Sequence, residues 1–349
     1  MKSLFTLFAI YFLIFAIVAT CCYTAIGIYW PLFISMDKTP ITVTIEYGMT
    51  PKIIAQKLQD IGVIKSKSWF LFTAKLYGKT NHLKAGHYEF PSLISPYRAV
   101  ILLSEGKQKF IKVTIPEGLT SRQIAGLMKK MLAIDSTKFI SLTSDSAFVH
   151  SLGYNLPSIE GFLFPETYYF TYGMLEKDII AKMVSQFDIV CNDSLRQVIA
   201  SKNLSLIEIV TLASIVEGEA MLDEEKPLIS SVYNNRLRQG IPLQADPTIQ
   251  YIILDGPRRL LNRDLEIDSP YNTYKYSGLP PGPINNPGEK AILAAIEPAQ
   301  TSFLYFVANG KGGHVFSRTF NEHLRAKRNF DIIRRKVKRE KQEQISGGR

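Results

Sequence analysis

The 349-residue sequence has few of the residues that form disulfides, metal sites or phosphate-binding loops. Two of its three cysteines, Cys21 and Cys22, lie in an apolar segment near the N-terminus, which leaves Cys191 without a partner for an intrachain disulfide. The five histidines do not have the spacing of metal ligands. The sequence also lacks a glycine-rich phosphate loop and a Gly-x-Ser-x-Gly turn. We therefore expect neither a metal nor a cofactor.

Charge is absent from Leu4 to Ile28, and the apolar block continues to about Ile34. The uncharged stretch exceeds the roughly 20 residues that span a bilayer, whereas the apolar region of a cleaved signal peptide has about 7–15 residues. Cys21 follows Thr20, which is larger than the residue preferred before a lipid-attachment cysteine. We therefore predict a cytoplasmic stub and a transmembrane anchor over residues 1–36, rather than a signal peptide or a lipoprotein.

The residues that flank the anchor predict its orientation. Lys2 and the α-amino group precede it, and Tyr23, Tyr29 and Trp30 suit the aromatic belt at its far end. We therefore expect a single-pass protein of the cell inner (plasma) membrane, with the remainder on the periplasmic or extracytoplasmic side.

Most of the net charge of +10 comes from the C-terminal tail. From Arg325 onward the sequence has ten basic residues and three acidic ones. Such a run can bind nucleic acid or anionic lipid, but an extracytoplasmic location excludes nucleic acid. We predict a solvated basic helix over residues 322–349.

A strand, glycine turn and helix pattern occurs twice, about 70 residues apart, at residues 43–55 and 113–125. Each copy alternates like a strand, turns at Gly48 or Gly118, and continues into a helix capped by Thr50 or Thr120. The unit resembles the opening half of LysM modules, which bind glycans containing N-acetylglucosamine. We predict an α+β fold, with a small LysM-like α/β module at residues 37–110 and a larger mixed α+β domain at residues 111–321.

Glu217 is a carboxylate on the apolar side of a predicted amphipathic helix that begins at Ser205 and ends near Gly218. Glu208 points to the opposite side of the helix and is expected to be solvated, and Glu219, about 200° around the axis, is also expected to be exposed. Burial of the Glu217 carboxylate would raise its pKa, as a general acid requires. A glutamate that only borders the core would show the same pattern, since structural ion pairs also perturb carboxylates.

Polar and turn-forming residues are concentrated after Glu217. The stretches at residues 232–237, 243–248, 269–274 and 278–288 contain many Asn, Gln, Asp, Tyr, Gly and Pro residues. Gly- and Pro-rich segments form extended loops, and amides, carboxylates and aromatic faces are the groups that bind sugars. Each polar residue alone has an ordinary structural alternative, such as capping a turn.

Six blocks of the sequence, four of them within these stretches, resemble in their order the YceG-like endolytic murein transglycosylases, and the resemblance covers nearly the whole chain. The blocks are residues 213–217, 235–237, 243–248, 271–274, 278–284 and 304–314. Gly218 stands where these proteins often have Lys, and Ala245 stands where Ser is common. The basic tail lies outside the resemblance.

The resemblance implies cleavage, without water, of the β-1,4 bond between N-acetylmuramic acid (MurNAc) and N-acetylglucosamine (GlcNAc) within nascent peptidoglycan strands. Glu217 would protonate the leaving oxygen and then deprotonate the C6 hydroxyl of MurNAc, which attacks C1 and forms a 1,6-anhydro end. Because this nucleophile is intramolecular, a second catalytic carboxylate is not needed.

The predicted substrate-binding residues are Asn235, Gln244, Asp246, Tyr271, Asn272 and Tyr274. Gln244 and Asn272 resemble, by role and order, the Gln and Asn that follow the glutamate in goose-type lysozyme-like transglycosylases. Asp246 is the candidate if a second carboxylate matters, and Tyr271 and Tyr274 are candidates for stacking on sugar rings.

Two functions of different classes are compatible with these features. The first is the membrane-anchored lytic transglycosylase, a carbon–oxygen lyase that acts on peptidoglycan strands. The second is a catalytically silent glycan-binding scaffold of the cell-wall synthesis machinery, with cell-wall synthases as candidate protein partners of either form.

Overall fold

The computed structural model describes residues 2–31, 40–46, 48–91, 93–106, 110–253 and 256–346. Helices predominate, and the strands of the described residues form three two-stranded sheets, which confirms the predicted α+β class. The chain forms two compact units. The first comprises Met1–Val113, Lys130–Ile134 and Tyr169–Leu175, and the second comprises the remainder. The domain boundaries after residues 36, 110 and 321 remain predictions.

The first unit begins with one long apolar helix and continues as a small α/β module. Its elements are α1 (Lys2–Tyr29), β1 (Ile41–Ile45), α2 (Pro51–Asp60), α3 (Lys67–Leu76), β2 (Gly86–Phe90) and α4 (Pro96–Glu105). The strands β1 and β2 are antiparallel, with Val43 opposite Tyr88. The inward side chains of both strands pack with the buried faces of α2, α3 and α4 to form one hydrophobic core.

Helix α1 is long and apolar enough to cross a membrane over Leu7–Tyr29. A signal sequence near an N-terminus has the same properties, so the anchor and its orientation remain predictions. Residues 32–39, which include the predicted end of the anchor, lie outside the described residues.

Both copies of the sequence repeat form the predicted glycine turn and capped helix. Gly48 and Gly118 have φ angles of +85° and +76°, a region that favours glycine. The Thr50 side chain accepts a hydrogen bond from the Ile53 N–H, and the Thr120 side chain accepts one from the Gln123 N–H. The two N-caps are confirmed, whereas the LysM-like nature of the first module remains a prediction.

The second unit is mainly helical. The elements that follow α4 along the chain are β3 (Ile111–Thr114), α5 (Ser121–Leu132), α6 (Ser136–Thr143), α7 (Ser146–Ser151), β4 (Thr167–Phe170), α8 (Glu176–Val190), α9 (Asp193–Ser201), α10 (Leu206–Glu219), α11 (Lys226–Arg238), α12 (Asp246–Ile252), α13 (Glu289–Ile296), β5 (Tyr305–Ala308), β6 (His314–Ser317) and α14 (Phe320–Ser346). The residues of β3, α5 and β4 are divided between the two units, and the other elements belong to the second. Short 3-10 helices lie at Asp223–Glu225 and Asn262–Glu266. The predicted helical tail corresponds to α14, and residues 347–349 lie outside the described residues.

Helix α10 is the central helix of the second unit. Ser205 and Glu208 form a capping box at its N-terminus, and Glu208 is exposed as predicted. The amphipathic pattern expected for this helix is wrong, because all eight residues from Ile209 to Val216 are buried. Helices α11 and α13 pack against α10. The residues at the C-terminal end of α10 lie at the candidate site described below.

Candidate active site

A cavity of about 860 Å³ lies at the C-terminal end of α10 in the second unit. Its wall is made by the ends of several elements, among them the start of α5, the start of α12 and the loop before α13. The polar and aromatic side chains on the wall include Glu160, Glu219, Asp246, Gln250, Tyr251 and Asn285. Carboxylates, amides and an aromatic ring around a cavity of this size are suited to bind a hydroxylated ligand.

Glu217 lies in the last turn of α10, next to the lining residues Gly118 and Gly218, but it is not itself a residue of the cavity wall. Its side chain is only 8% exposed, so the predicted burial of this carboxylate is confirmed. The wall residue Gly118 packs on it, since a Cβ at Gly118 would lie 3.6 Å from the Glu217 Cγ. The Gly288 N–H donates a hydrogen bond of 3.1 Å to Oε2, and the Lys226 Nζ lies 3.2 Å from Oε1. Glu217 is therefore a buried carboxylate with a cation and an N–H donor already in place.

The environment of Glu217 acts on its pKa in two opposite directions. Burial, the largest effect, raises the pKa, because a charged carboxylate is poorly solvated there. The positive charge of Lys226 and the Gly288 N–H lower it, and the negative charge of Glu117 raises it. The net effect raises the pKa, so Glu217 stays protonated to a higher pH than an ordinary glutamate does.

Lys226 is a buried lysine that contacts Glu217 and two carboxylates that are about half-exposed, Asp223 and Glu117. The lysine is 2% exposed, and its Nζ lies 2.9 Å from the Asp223 Oδ1 and 3.4 Å from the Glu117 Oε2. Asp223 also pairs with Lys290, whose side chain is largely exposed. An isolated buried ammonium would be costly, so the carboxylates and the lysine stabilise one another in the charged form.

Glu219 is the second carboxylate at the end of α10, and it is not exposed as predicted. It is partly buried on the cavity wall, where it accepts hydrogen bonds from the Tyr233 hydroxyl, at 2.9 Å, and from the Asp246 N–H. Burial raises its pKa to about 7. Glu219 is not exposed because residues of α11 and the start of α12 cover that side of α10.

Glu160 is a carboxylate of the wall that sequence reasoning did not select. It is 8% exposed and accepts hydrogen bonds from the Ser121 N–H and, at 2.8 Å, from the Asn286 amide. Burial raises its pKa from an ordinary value of 4.5 to about 7, although these donors act in the opposite direction. A lone glutamate at the start of the apolar run of residues 161–164 is the signal that could have identified it.

We expect Glu160 to make the protein less stable as the pH rises. The folded state holds the Glu160 proton up to about pH 7, whereas the unfolded chain loses it near pH 4.5. The free energy of unfolding should therefore fall between these two values, by roughly 3 kcal/mol for this group. Urea unfolding of the wild type and Glu160→Gln should show a weaker pH dependence in the variant, and equal dependences would contradict the assignment.

Of the six predicted substrate residues, Asp246 lines the cavity, whereas Gln244, Tyr271 and Tyr274 are not on its wall. Asp246 lines the cavity, and its Oδ1 accepts a hydrogen bond of 2.5 Å from the Tyr274 hydroxyl. Gln244 is exposed and is not on the cavity wall. Its backbone is in the left-handed region, with φ +50°, and its N–H donates a hydrogen bond to the Thr273 carbonyl. The Tyr271 ring lies 5.1 Å from the ring of the wall residue Tyr251.

The other two amides are buried and bonded to the backbone. The Asn272 side chain donates to the Leu265 and Ile267 carbonyls and accepts from the Tyr274 N–H. The Asn235 side chain donates to the Thr301 and Phe303 carbonyls. These contacts position loops, and the structure does not bring either side chain to the cavity wall; a role in substrate binding remains a prediction for both.

Asn285 is a further residue of the wall that the sequence did not single out. Its amide donates to the Ser214 carbonyl of α10 at 2.8 Å, while its buried Oδ1 has no hydrogen-bond partner within the described residues. Most buried polar atoms are paired, but this oxygen exposes almost no surface, so the cavity does not give a ligand access to it in this conformation. Gly218 lies next to it, and a Cβ there would be only 2.7 Å from Pro247, which explains the absence of a larger residue.

Comparison with known proteins gives consistent matches over most of the chain. A model of the YceG-like family matches residues 43–329. An endolytic murein transglycosylase of Bacillus subtilis is 33% identical over 310 residues, which cover 84% of this chain and 86% of that protein. One from Streptococcus pneumoniae is 32% identical over 335 residues, and the match spans 60% of its length. The crystal structure of a YceG-like protein from Listeria monocytogenes has 34% identity and a TM-score of 0.59, and covers 82% of this chain and 98% of the Listeria chain.

Proposed function

The chain belongs to the YceG-like family, and on that premise we propose that it is a membrane-anchored endolytic lytic transglycosylase of peptidoglycan. Its substrate is the β-1,4 bond between MurNAc and GlcNAc in nascent strands, and its product is a 1,6-anhydro-MurNAc end. The observation that carries the proposal is Glu217, a buried carboxylate with a raised pKa next to lining residues of a polar cavity.

In the first step, protonated Glu217 donates its proton to the glycosidic oxygen as the C1–O bond breaks. In the second step, the Glu217 carboxylate accepts the proton of the C6 hydroxyl of MurNAc while that oxygen bonds to C1. The glutamate ends protonated, as it began, and no water is consumed. The attacking hydroxyl belongs to the same sugar, so its effective concentration is high without a second carboxylate to activate water.

The surroundings of Glu217 suit both steps. Burial favours the protonated form that begins the reaction. Lys226 and the Gly288 N–H stabilise the carboxylate that exists after the proton has been donated. One residue can therefore serve as acid and then as base, because neither form is strongly disfavoured.

The cavity wall and the side chains beside it offer groups for the rest of the sugar. Asp246 and Tyr274 present a carboxylate and a phenol to sugar hydroxyls, and the Tyr251 and Tyr271 rings are suited to pack on a pyranose. Gln244 would contact the strand beyond the cavity, and Asn235 and Asn272 would act by fixing the loops that carry these groups.

We expect Lys226→Met to shift the pH dependence of the reaction to higher pH. Lys226 lowers the pKa of Glu217, so its loss raises that pKa and extends the pH range in which the acid is protonated. The alkaline limb of kcat/KM should move up by about one pH unit or more, while kcat falls because the carboxylate is less stabilised. Lys290→Met is the matched control, since Lys290 pairs with Asp223 but is not in contact with Glu217. An unchanged alkaline limb in Lys226→Met would show that this lysine does not act on the catalytic acid.

The direct test uses the full-length protein in proteoliposomes with peptidoglycan strands, followed by mass spectrometry of the released muropeptides. A transglycosylase gives 1,6-anhydro ends, which are one water molecule lighter than reducing ends. Reducing ends would indicate a hydrolase instead. Glycan binding without any cleavage would support the silent scaffold.

A further inference from the structure

Helix α3 has two apolar sides, about 120° apart around its axis. Its inner side, formed by Phe70, Thr73 and Ala74, is buried in the core of the first module. Its outer side carries Trp69, Phe72 and Leu76, spaced three and four residues apart and therefore aligned along the helix. A helix on the surface of a soluble domain has polar residues on its outer side, whereas Phe72 is 45% exposed and Leu76 is 59% exposed.

This outer side is continuous with the C-terminal part of α1. The Trp69 ring lies 5.4 Å from the Tyr23 ring, and it rests on Gly27, where a Cβ would be 2.2 Å from the indole. Only glycine leaves room for this contact. After α3 ends, the Tyr77 hydroxyl forms a hydrogen bond with the Tyr29 hydroxyl at the last residue of α1. Trp69, Phe72, Leu76 and Tyr77 are called the α3 aromatic face below.

The position of these contacts along α1 sets their depth. The 23 residues from Leu7 to Tyr29 extend about 35 Å as a helix, slightly more than the hydrocarbon thickness of about 30 Å. Tyr29 would then lie at the membrane boundary, and Tyr23, six residues earlier, about 9 Å deeper. The part of α3 that contacts Tyr23 and Gly27 is consequently held at the level of the lipid headgroups and the first acyl carbons.

We propose that the α3 aromatic face is a membrane-binding surface that inserts into the interface of the bilayer at the outer end of α1. Trp and Tyr side chains are enriched at this depth, where their rings are apolar and their polar atoms reach water. Lys75 and Lys79 flank the face and provide positive charge for anionic headgroups. This proposal depends on the proposed anchoring of α1 but not on the proposed chemistry.

Tryptophan fluorescence can test the proposal, because Trp30 and Trp69 are the only tryptophans of the chain. The full-length Trp30→Phe variant is reconstituted in phosphatidylethanolamine–phosphatidylglycerol vesicles, with or without lipids brominated near the carbonyl end of the acyl chains. Trp69 emission should be blue-shifted and reduced about twofold by the brominated lipids. A second reporter, Leu76→Trp in the Trp30→Phe, Trp69→Phe background, covers the case in which α1 shields Trp69 from lipid.

The matched control is Ile53→Trp in the same double-phenylalanine background. Ile53 is also apolar and 52% exposed, but it lies on α2, outside the α3 aromatic face. It should be quenched by acrylamide in water and not by brominated lipid. If the chains float with the vesicles but brominated lipid quenches neither Trp69 nor a tryptophan at position 76, the proposed insertion of the α3 aromatic face is wrong. The anchoring of α1 would still be supported. If the chains do not float, the anchor and this proposal both fail, while anhydro products in the cleavage assay would still support the transglycosylase.

Discussion

Replacing Glu217 by glutamine is expected to reduce the formation of 1,6-anhydro ends by a factor on the order of 10²–10⁴, the usual contribution of a positioned acid or base. Glutamine has nearly the shape of glutamate and can still accept the Gly288 hydrogen bond. It cannot donate or accept the proton of the reaction. The loss should therefore appear in kcat, measured by mass spectrometry of muropeptides, while binding of the glycan strand changes little.

Glu219→Gln is the matched control for this experiment. Glu219 lies two residues away on the cavity wall and also has a raised pKa, so it is an alternative acid on the same helix. Its contacts are with the Tyr233 hydroxyl and the Asp246 N–H, and a glutamine oxygen can accept both bonds. We expect activity within about tenfold of the wild type, since a positioning role loses less than a proton-transfer role. Full activity in Glu217→Gln together with loss of activity in Glu219→Gln would exchange the two assignments.

Glu217 could be selected from the sequence as the candidate acid because it breaks a local rule. A charged residue at the end of a run of apolar helix residues is unusual, and its burial followed from that pattern alone. The amphipathic pattern from which the burial of Glu217 was predicted is not present in the structure, however. Helix α10 is buried on every side from Ile209 to Val216, so this part of the helix has no exposed polar face.

The partners of Glu217 could not be predicted, because they are distant in the sequence. Lys226 belongs to the next helix, Gly118 to the second repeat, and Gly288 to the loop before α13. Helical periodicity gives the direction of a side chain from its own axis and contains no information about which loop packs on it. The same limit explains the error on Glu219, whose side of the helix is covered by residues of α11 and α12.

The polar loops show the opposite limitation. Their composition predicted a sugar site, and Asp246 does line the cavity. Composition could not separate amides that face the cavity from amides that hold the loops, and Asn235 and Asn272 prove to be bonded to backbone carbonyls. Asn285 and Asn286, which composition does not distinguish from the other amides of the loops, form hydrogen bonds that hold the wall together.

Asn286 connects three segments of this wall, and it is fully buried. Its side-chain oxygen accepts the N–H groups of Gly161 and Leu163, at 3.0 Å and 2.8 Å. Its amide donates to the Leu119 carbonyl and to Glu160, at 2.9 Å and 2.8 Å. The two segments that carry Gly118 and Glu160 are therefore fastened to the loop before α13 by one side chain.

Asn286→Ala is expected to lower the free energy of unfolding of the second unit by about 3–5 kcal/mol, because four polar groups lose their partner where water cannot easily replace it. The neighbouring variant Asn285→Ala removes one hydrogen bond, to the Ser214 carbonyl, and should cost only about 1–2 kcal/mol. Hydrogen exchange of the α10 amides in the full-length protein measures both losses of free energy, because α10 carries Glu217 and lies beside the wall. Since Gly118 packs on Glu217, the alanine at position 286 should also lower cleavage activity, even under conditions in which the protein is still folded. Equal protection of α10 in the two variants would mean that the four bonds of Asn286 are not what fixes the wall.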